Sequence, residues 1–557
     1  MPYVVLLLMS ISLFFIYGKN CNGKVELLTS SIISALVIIC LIPIFTHFIG
    51  VESKIFYYYV VAPVLCFFAF KQKNKIPSLK MERADYVMVL FLAIIFIIFF
   101  FHSKMGKEVH FISVDPVGHF DMALTFAKNK YLLIDKQSEL FSYTTYPPFF
   151  YTVAGFLFGD VLNKNNIDFL LQFNVFNFCL LTILAVQIFC VCKAITPNNL
   201  WLALFFSILI IIGHPLDIYF SGYAAQMLGL IFVVGISASL ISPYEKSPRI
   251  LQNALLLGLY LSYFYYIPFV VLALFLHAYK NNKELKLTNL IIKFAVYFLP
   301  SAILALPMIP YYLEASKAIS VSGAMFTDVY LSFLIFIPGI FLLLSKRNYK
   351  DVEFFLISAL LFAVVMFALR VANISSVYYF FKIYSAIYIF MGFCALKAIS
   401  SKSYQKIIFS YLFAALPLLV LAPKIQIDLL STKNYFVMES NLKFLFKNKI
   451  FDTEQLLLIS NLNNLSKPED SVCMASESPL QLMWFVELTN GKYFRGHGDT
   501  KHLWMKDATW QDMNQDAQCK LPNYDYIVDF SCNARDLHKL VENPAGCIFK
   551  SQSASGS

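Results

Sequence analysis

The run Val87-Met-Val-Leu-Phe-Leu-Ala-Ile-Ile-Phe-Ile-Ile-Phe-Phe-Phe101 contains no charge, no proline and no glycine. It approaches the length of helix, about 20 residues, that crosses a bilayer's hydrocarbon core. Phe354–Leu369 and Val377–Leu396, the second broken only by Lys382, have the same character. The chain of 557 residues is 59% hydrophobic and 14% charged. A water-soluble fold of that balance would expose apolar surface it could not hide. The fold class is therefore a polytopic α-helical membrane protein, with a small C-terminal α/β extracytoplasmic domain argued below. Phe and Tyr, at 57 and 33 residues, suit helix packing and the aromatic belts of the interfaces.

About fourteen hydrophobic segments can be marked, near 3–17, 26–49, 55–70, 86–102, 168–192, 199–213, 227–241, 253–264, 266–279, 290–312, 328–345, 352–370, 377–396 and 407–423. The pair 253–264 and 266–279 is either one long span or a hairpin of two short helices. Its basic flanks, Arg249 and Lys280, favour the hairpin, which gives a working count of about 13 transmembrane helices. Met1–Gly18 lacks the flanking positive charge of a secretory signal and is expected to be a retained first helix.

Lys71–Arg83, Glu245–Arg249, Lys280–Lys286, Lys346–Lys350 and Lys397–Lys406 carry an excess of Lys and Arg. By the positive-inside rule these loops are cytoplasmic. The loops around Glu52, Asp115, His214–Gln226, Ala315–Thr327 and Val371–Ser376 then face the other side. Most of the net charge of +10 sits in these short loops and does not imply nucleic-acid binding.

After Leu421-Ala-Pro423 the composition turns mixed and polar. Residues 1–423 are expected to form the membrane domain, with a first large outer loop at about 103–167, and residues 424–552 a small α/β domain. In the latter, Leu456–Leu465 and Asp536–Val541 read as helices, and Ser471–Ala475 and Tyr524–Phe530 as strands. Ser553-Ala-Ser-Gly-Ser557 reads as an added scar. Seven of the 11 cysteines lie in or beside the apolar segments, and Cys473, Cys519, Cys532 and Cys547 lie in the tail. An even number in an exported domain implies one or two disulfides, with the pairing open. Without a CxxC pair a zinc site is disfavoured, and the tail is placed on the same side as Asp115.

Between the apolar runs lies Ser113-Val-Asp-Pro-Val-Gly-His-Phe-Asp121, followed downstream by Tyr146-Pro147-Pro148. Asp115 before Pro116 suits the start of a helix. His119 lies one turn on and on the same face, with Asp121 on another. These residues can be a plain capped helix, or carboxylates placed for general-base chemistry toward an acceptor hydroxyl. A divalent cation held by Asp115 and Asp121 against a phosphate is the third option. Tyr146 and the two prolines would wall a site with extended chain and aromatics. Arg370 and Lys382 stand at the outer ends of late spans, where a cation costs about 2.5–3.5 kcal/mol on insertion scales unless partnered or snorkelling. Lys382, with Tyr378, Tyr379 and Tyr384 around it, is the better candidate for gripping a lipid phosphate. His214 and Asp217 are polar enough to line a site, although a capped turn explains them too. Arg495-Gly-His-Gly-Asp499 reads as a surface loop. No GxxxxGK[ST], strand-linked GxGxxG, HExxH or GxSxG occurs, which disfavours an ATP-driven pump.

In these features the chain resembles the GT-C glycosyltransferases, the polytopic membrane transferases that use polyprenyl-phosphate sugars. The likeness rests on the acidic outer loop with Asp115 and Asp121, the downstream Tyr146-Pro147-Pro148, the many spans and the terminal α/β domain. The helix count with an exported C-terminal domain is similar to arabinofuranosyltransferases of that class. The acidic pair is not adjacent as in the commonest form, and three spans precede the usual first one. The resemblance implies Asp115, or else Asp121, as the catalytic carboxylate and Lys382 or Arg370 as the phosphate contact. It implies a polyprenyl-phosphate-linked sugar donor, a glycan, lipid or protein acceptor, and inversion. The setting would be the cell envelope, in a bacterial cytoplasmic membrane with the active site and C-terminal domain facing the periplasm. An oligosaccharyltransferase or O-antigen ligase using a diphosphate-linked glycan, and a non-catalytic lipid-linked sugar transporter, are the competing readings.

Overall fold

The computed structural model describes residues 2–17, 24–71, 82–103, 107–111, 115–129, 147–159, 165–241, 249–309, 312–313, 328–337, 340, 352–375, 377–400, 406, 410–411, 413, 423–426, 435–438, 449–467, 470–476, 478–489, 519, 524–532 and 538–550. The membrane part comprises α1 (Pro2–Tyr17), α2 (Lys24–Ile49), α3 (Ser53–Ile55), α4 (Ala62–Lys71), α5 (Arg83–Ser103), α6 (Asp115–Lys128), α7 (Phe149–Phe158), α8 (Ile167–Ile195), α9 (Leu200–Ile212), α10 (His214–Ser221), α11 (Ala224–Ile241), α12 (Arg249–Tyr263), α13 (Ile267–Asn281), α14 (Leu287–Ala305), α15 (Val352–Val371), α16 (Val377–Lys382) and α17 (Tyr384–Ser400). Helix predominates because hydrocarbon offers no partner for backbone N–H and C=O groups, which must bond within their own segment.

Among the described residues, six helical stretches are long and apolar enough to cross a bilayer, or seven if the bent pair α9–α10 is one span. The expected count of about thirteen is not confirmed among these residues. Pro2–Tyr17, Phe56–Lys71 and Tyr384–Ser400 are apolar but shorter. Most of 407–423 lies outside the described residues. The described part of 328–345 opens as strand β1 (Asp328–Tyr330) and a 3-10 turn, Leu331–Phe336. That strand pairs with β2 (Pro423–Gln426), which pairs with β3 (Tyr435–Met438), so ladder bonds override the apolar pattern there.

By length alone Arg249–Asn281 is a single stretch of 33 residues. A straight helix of that length would hold its ends about 50 Å apart. Both ends instead meet α14 within one turn of each other. The Arg249 guanidinium donates to the carbonyls of Val296 and Tyr297, and Lys293 donates to Asn282. The chain therefore reverses at the 3-10 turn Phe264–Tyr266, giving the hairpin that the basic flanks favoured. Lys280 lies over the Phe354 ring at 5.6 Å, and the adjacent Glu353 accepts from Lys397. Arg249, Lys280 and Lys397 thus gather at one end of the bundle. Asp115, the Phe264–Tyr266 turn and Lys382 gather at the other.

The tail contains α18 (Thr453–Leu465), β4 (Val472–Ala475), α19 (Pro479–Leu488), β5 (Tyr526–Asp529), β6 (His538–Asn543) and β7 (Gly546–Lys550), with sheet order β4-β5-β7-β6. Asp452 and Gln455 form a reciprocal capping box at the start of α18. The described part of the expected helix Asp536–Val541 is strand instead, since His538–Asn543 pairs antiparallel with β7 across the Asn543–Gly546 turn. Six residues were too few for periodicity to separate the two states, and the Asn-Pro-Ala-Gly turn decided. Cys473 pairs with Cys519 and Cys532 with Cys547.

The tail docks directly on the segment that leads into α6. Val109 and Phe451 form an antiparallel bridge, and Lys449 meets the buried Glu108 at 2.9 Å. Trp484 of α19 is fully buried among Phe111, Phe120 and Phe173.

Candidate functional site

The N-terminus of α6 packs against Gly222, which ends α10 at φ 70°. A Cβ there would stand 2.1 Å from Pro116 Cγ and 3.0 Å from Phe111, so conformation and space both require glycine. Asp115 and His119, one turn apart, share a face of α6. The His119 ring packs on Phe150 at 4.9 Å. Burial pushes the Asp115 carboxyl above its ordinary range, and the charge of Lys382 opposes that shift. Burial and the same lysine lower His119 to about 3, so its imidazole is neutral.

Lys382 reaches this face from far along the chain. The expected continuous span 377–396 is broken there: α16 ends at Lys382, Ile383 is a turn, and α17 starts at Tyr384. The Lys382 carbonyl accepts from Tyr266 Oη at 2.9 Å and Gln226 Nε2 at 3.3 Å. Gln226 also donates to Ser385 Oγ at 2.9 Å. The ammonium lies 5.1 Å from the Tyr379 ring centroid and 5.5 Å from that of Tyr263, within cation–π range. Tyr265 donates to the Tyr379 carbonyl, linking the hairpin turn to α16.

The other expected residues separate from this group. Asp121 is on a different face of α6, accepts from Thr125 at 3.4 Å, and adds to the upward shift that burial gives the Glu487 carboxyl of the tail. Six positions along a helix turn a side chain by about 120° relative to Asp115. The two carboxylates therefore do not converge on one cation, and the cationic Lys382 beside Asp115 further disfavours one there. Cys532, Glu542 and Cys547 lie close together, but both cysteines are in a disulfide and offer no thiolate. Arg370 donates to Asn373 in the turn after its own helix at 3.1 Å, as a snorkelling end residue does. His214 and Asp217 are buried within α10 rather than set in an open loop, and the His214 ring packs on Tyr388 at 5.1 Å. Tyr146 and Arg495–Asp499 lie outside the described residues, as does the side chain of Tyr378 on α16.

Sequence reasoning missed Tyr263, Tyr266, Glu487 and Trp484. The cluster Tyr263-Phe-Tyr-Tyr266 inside an otherwise apolar stretch was the available signal for the first two. The last two had none, because their significance arises only when the tail docks on α6. The arrangement as a whole can hold an anion at Lys382 beside a buried carboxylate of raised basicity. No protein-family model matches the chain, and no curated protein matches it.

Proposed function

We propose that this chain is a membrane glycosyltransferase of GT-C type that takes a sugar from a polyprenyl-phosphate donor. The observation that carries the reading is that Asp115 and Lys382 lie at the same end of the bundle, opposite Arg249, Lys280 and Lys397, and are coupled electrostatically. A lone carboxylate at a helix start is ordinary. A carboxylate with a lysine flanked by two tyrosine rings, at one end of an apolar helical bundle, suits a phosphorylated lipid.

In this reading the donor's polyprenyl chain lies along the apolar helices and its phosphate meets Lys382. Asp115 accepts the proton of the acceptor hydroxyl as that oxygen attacks the anomeric carbon. The bond from anomeric carbon to phosphate oxygen breaks, and its electron pair leaves on polyprenyl phosphate. Lys382 stabilises the charge that grows on the leaving oxygen. A single displacement inverts the anomeric centre. Burial raises the basicity of Asp115 toward the working pH, which favours general-base catalysis. The lysine-rich end would face the cytoplasm and the docked tail the periplasm of a bacterial inner membrane.

The test is transfer of radiolabelled sugar from polyprenyl-phosphate donors by purified protein, wild type beside Asp115→Asn. Loss of turnover by about 10²–10⁴-fold with donor binding retained is the expected result. Equal turnover in both proteins would move the base elsewhere. No turnover by wild type with any monophosphate donor would defeat the reading.

A further inference from the structure

The polar groups around the Lys382–Ile383 break do more than line the site. At the end of a helix the last carbonyls lose their intrahelical donors and need others. The Lys382 carbonyl finds two, Tyr266 Oη and Gln226 Nε2, from the hairpin turn and from the first turn of α11. Tyr266 and Gln226 are 0% and 3% exposed, and Gln226 also binds Ser385 on the far side of the break. The break is thus bridged by side chains from two other segments. Were α16 and α17 to merge into one regular helix, that carbonyl would bond within the helix and the lysine would turn away from Asp115.

We propose that Tyr266 and Gln226 are positioning residues that hold the helix break open and so aim the Lys382 ammonium at the phosphate of a lipid monophosphate. The proposal rests on the reading of Lys382 as the phosphate contact. Neither residue touches the phosphate, and both act through the backbone of Lys382. Tyr263 and Tyr379 complete the arrangement by flanking the ammonium.

The test measures equilibrium binding of polyprenyl phosphate to the full chain in lipid nanodiscs, which needs no turnover. Tyr266→Phe and Gln226→Leu should each weaken binding about five- to tenfold, the fold-change to which one lost hydrogen bond corresponds. Tyr312→Phe is the control, because its hydroxyl likewise bonds a backbone carbonyl near the hairpin turn, that of Tyr260 at 2.6 Å, and not that of Lys382. It should leave binding unchanged. In a Lys382→Met background, Tyr266→Phe should cause no further loss, whereas a structural effect would add to it. Equal weakening by Tyr312→Phe, or additive loss with Lys382→Met, would overturn the proposal. If wild type binds polyprenyl phosphate but transfers no sugar, the transferase reading fails while the comparison of variants still decides the positioning role. If Lys382→Met binds as tightly as wild type, both the phosphate contact and the positioning role are lost.

Discussion

The two ends of the helical bundle each bring a lysine near a buried acid, and they use the pair differently. At the lysine-rich end, Lys397 of α17 bonds directly to Glu353 of α15, which is 1% exposed. That contact neutralises both charges and ties two helices together. At the opposite end, Lys382 is flanked by tyrosine rings and coupled electrostatically to Asp115. Its backbone carbonyl in turn accepts from Tyr266 and Gln226. The first arrangement suits cohesion. The second buries a cation and a carboxylate at one end of the bundle, a cost that proteins tolerate chiefly at functional sites.

The comparison breaks if the two lysines respond alike to removal. Lys397→Met should strand the buried Glu353 and lower stability by about 3–5 kcal/mol, with specific activity of the folded fraction retained. Thermal unfolding in detergent, followed by transfer assays on the folded fraction, checks this. Lys382→Met should show the reverse pattern, weakening donor binding with a much smaller change in melting temperature.

Docking of the tail sharpens the contrast, because it approaches α6 from the face opposite the candidate site. Trp484→Ala should cost about 3–5 kcal/mol, the range for truncating a fully buried aromatic. Protease susceptibility of the tail relative to the helical part should rise accordingly.

A smaller effect concerns pH. Burial, with the Asp121 charge adding to it and Lys128 opposing, raises Glu487 well above the ordinary glutamate range. A carboxyl raised in the folded state favours that state while protonated. The contribution is complete below the unfolded value of about 4.3 and is lost as pH rises through the folded value. Hydrogen exchange in α19 should therefore quicken as pH climbs, beyond the intrinsic rate, and Glu487→Gln should flatten that dependence. Smallest of all, Arg370→Ala should change stability by no more than about 0.5 kcal/mol and leave donor binding intact, since its contact lies in its own helix-end turn. A large loss of donor binding would return Arg370 to the site.

Much of this molecule was legible in order along the chain. Runs such as Val87–Phe101 and Phe354–Leu369 specify helix in a membrane, because apolar length is a local property that needs no partner to be read. The basic flanks Arg249 and Lys280 gave the hairpin, since charge placement is also local. Asp115 and Lys382 could each be marked as unusual for the same reason: a charge in apolar surroundings needs an explanation wherever it ends up. The sequence could not say that these two are coupled, that Asp121 turns to the tail instead, or that His214 is packed against Tyr388. Nor could it show that Lys382 stands at a break in its helix held by Tyr266 and Gln226. Those facts depend on contacts between segments far apart in the chain, where packing and burial select among many locally acceptable neighbours. The composition determined what kind of environment the chain lives in and which residues were out of place there. Only the tertiary structure decided which of those residues come together.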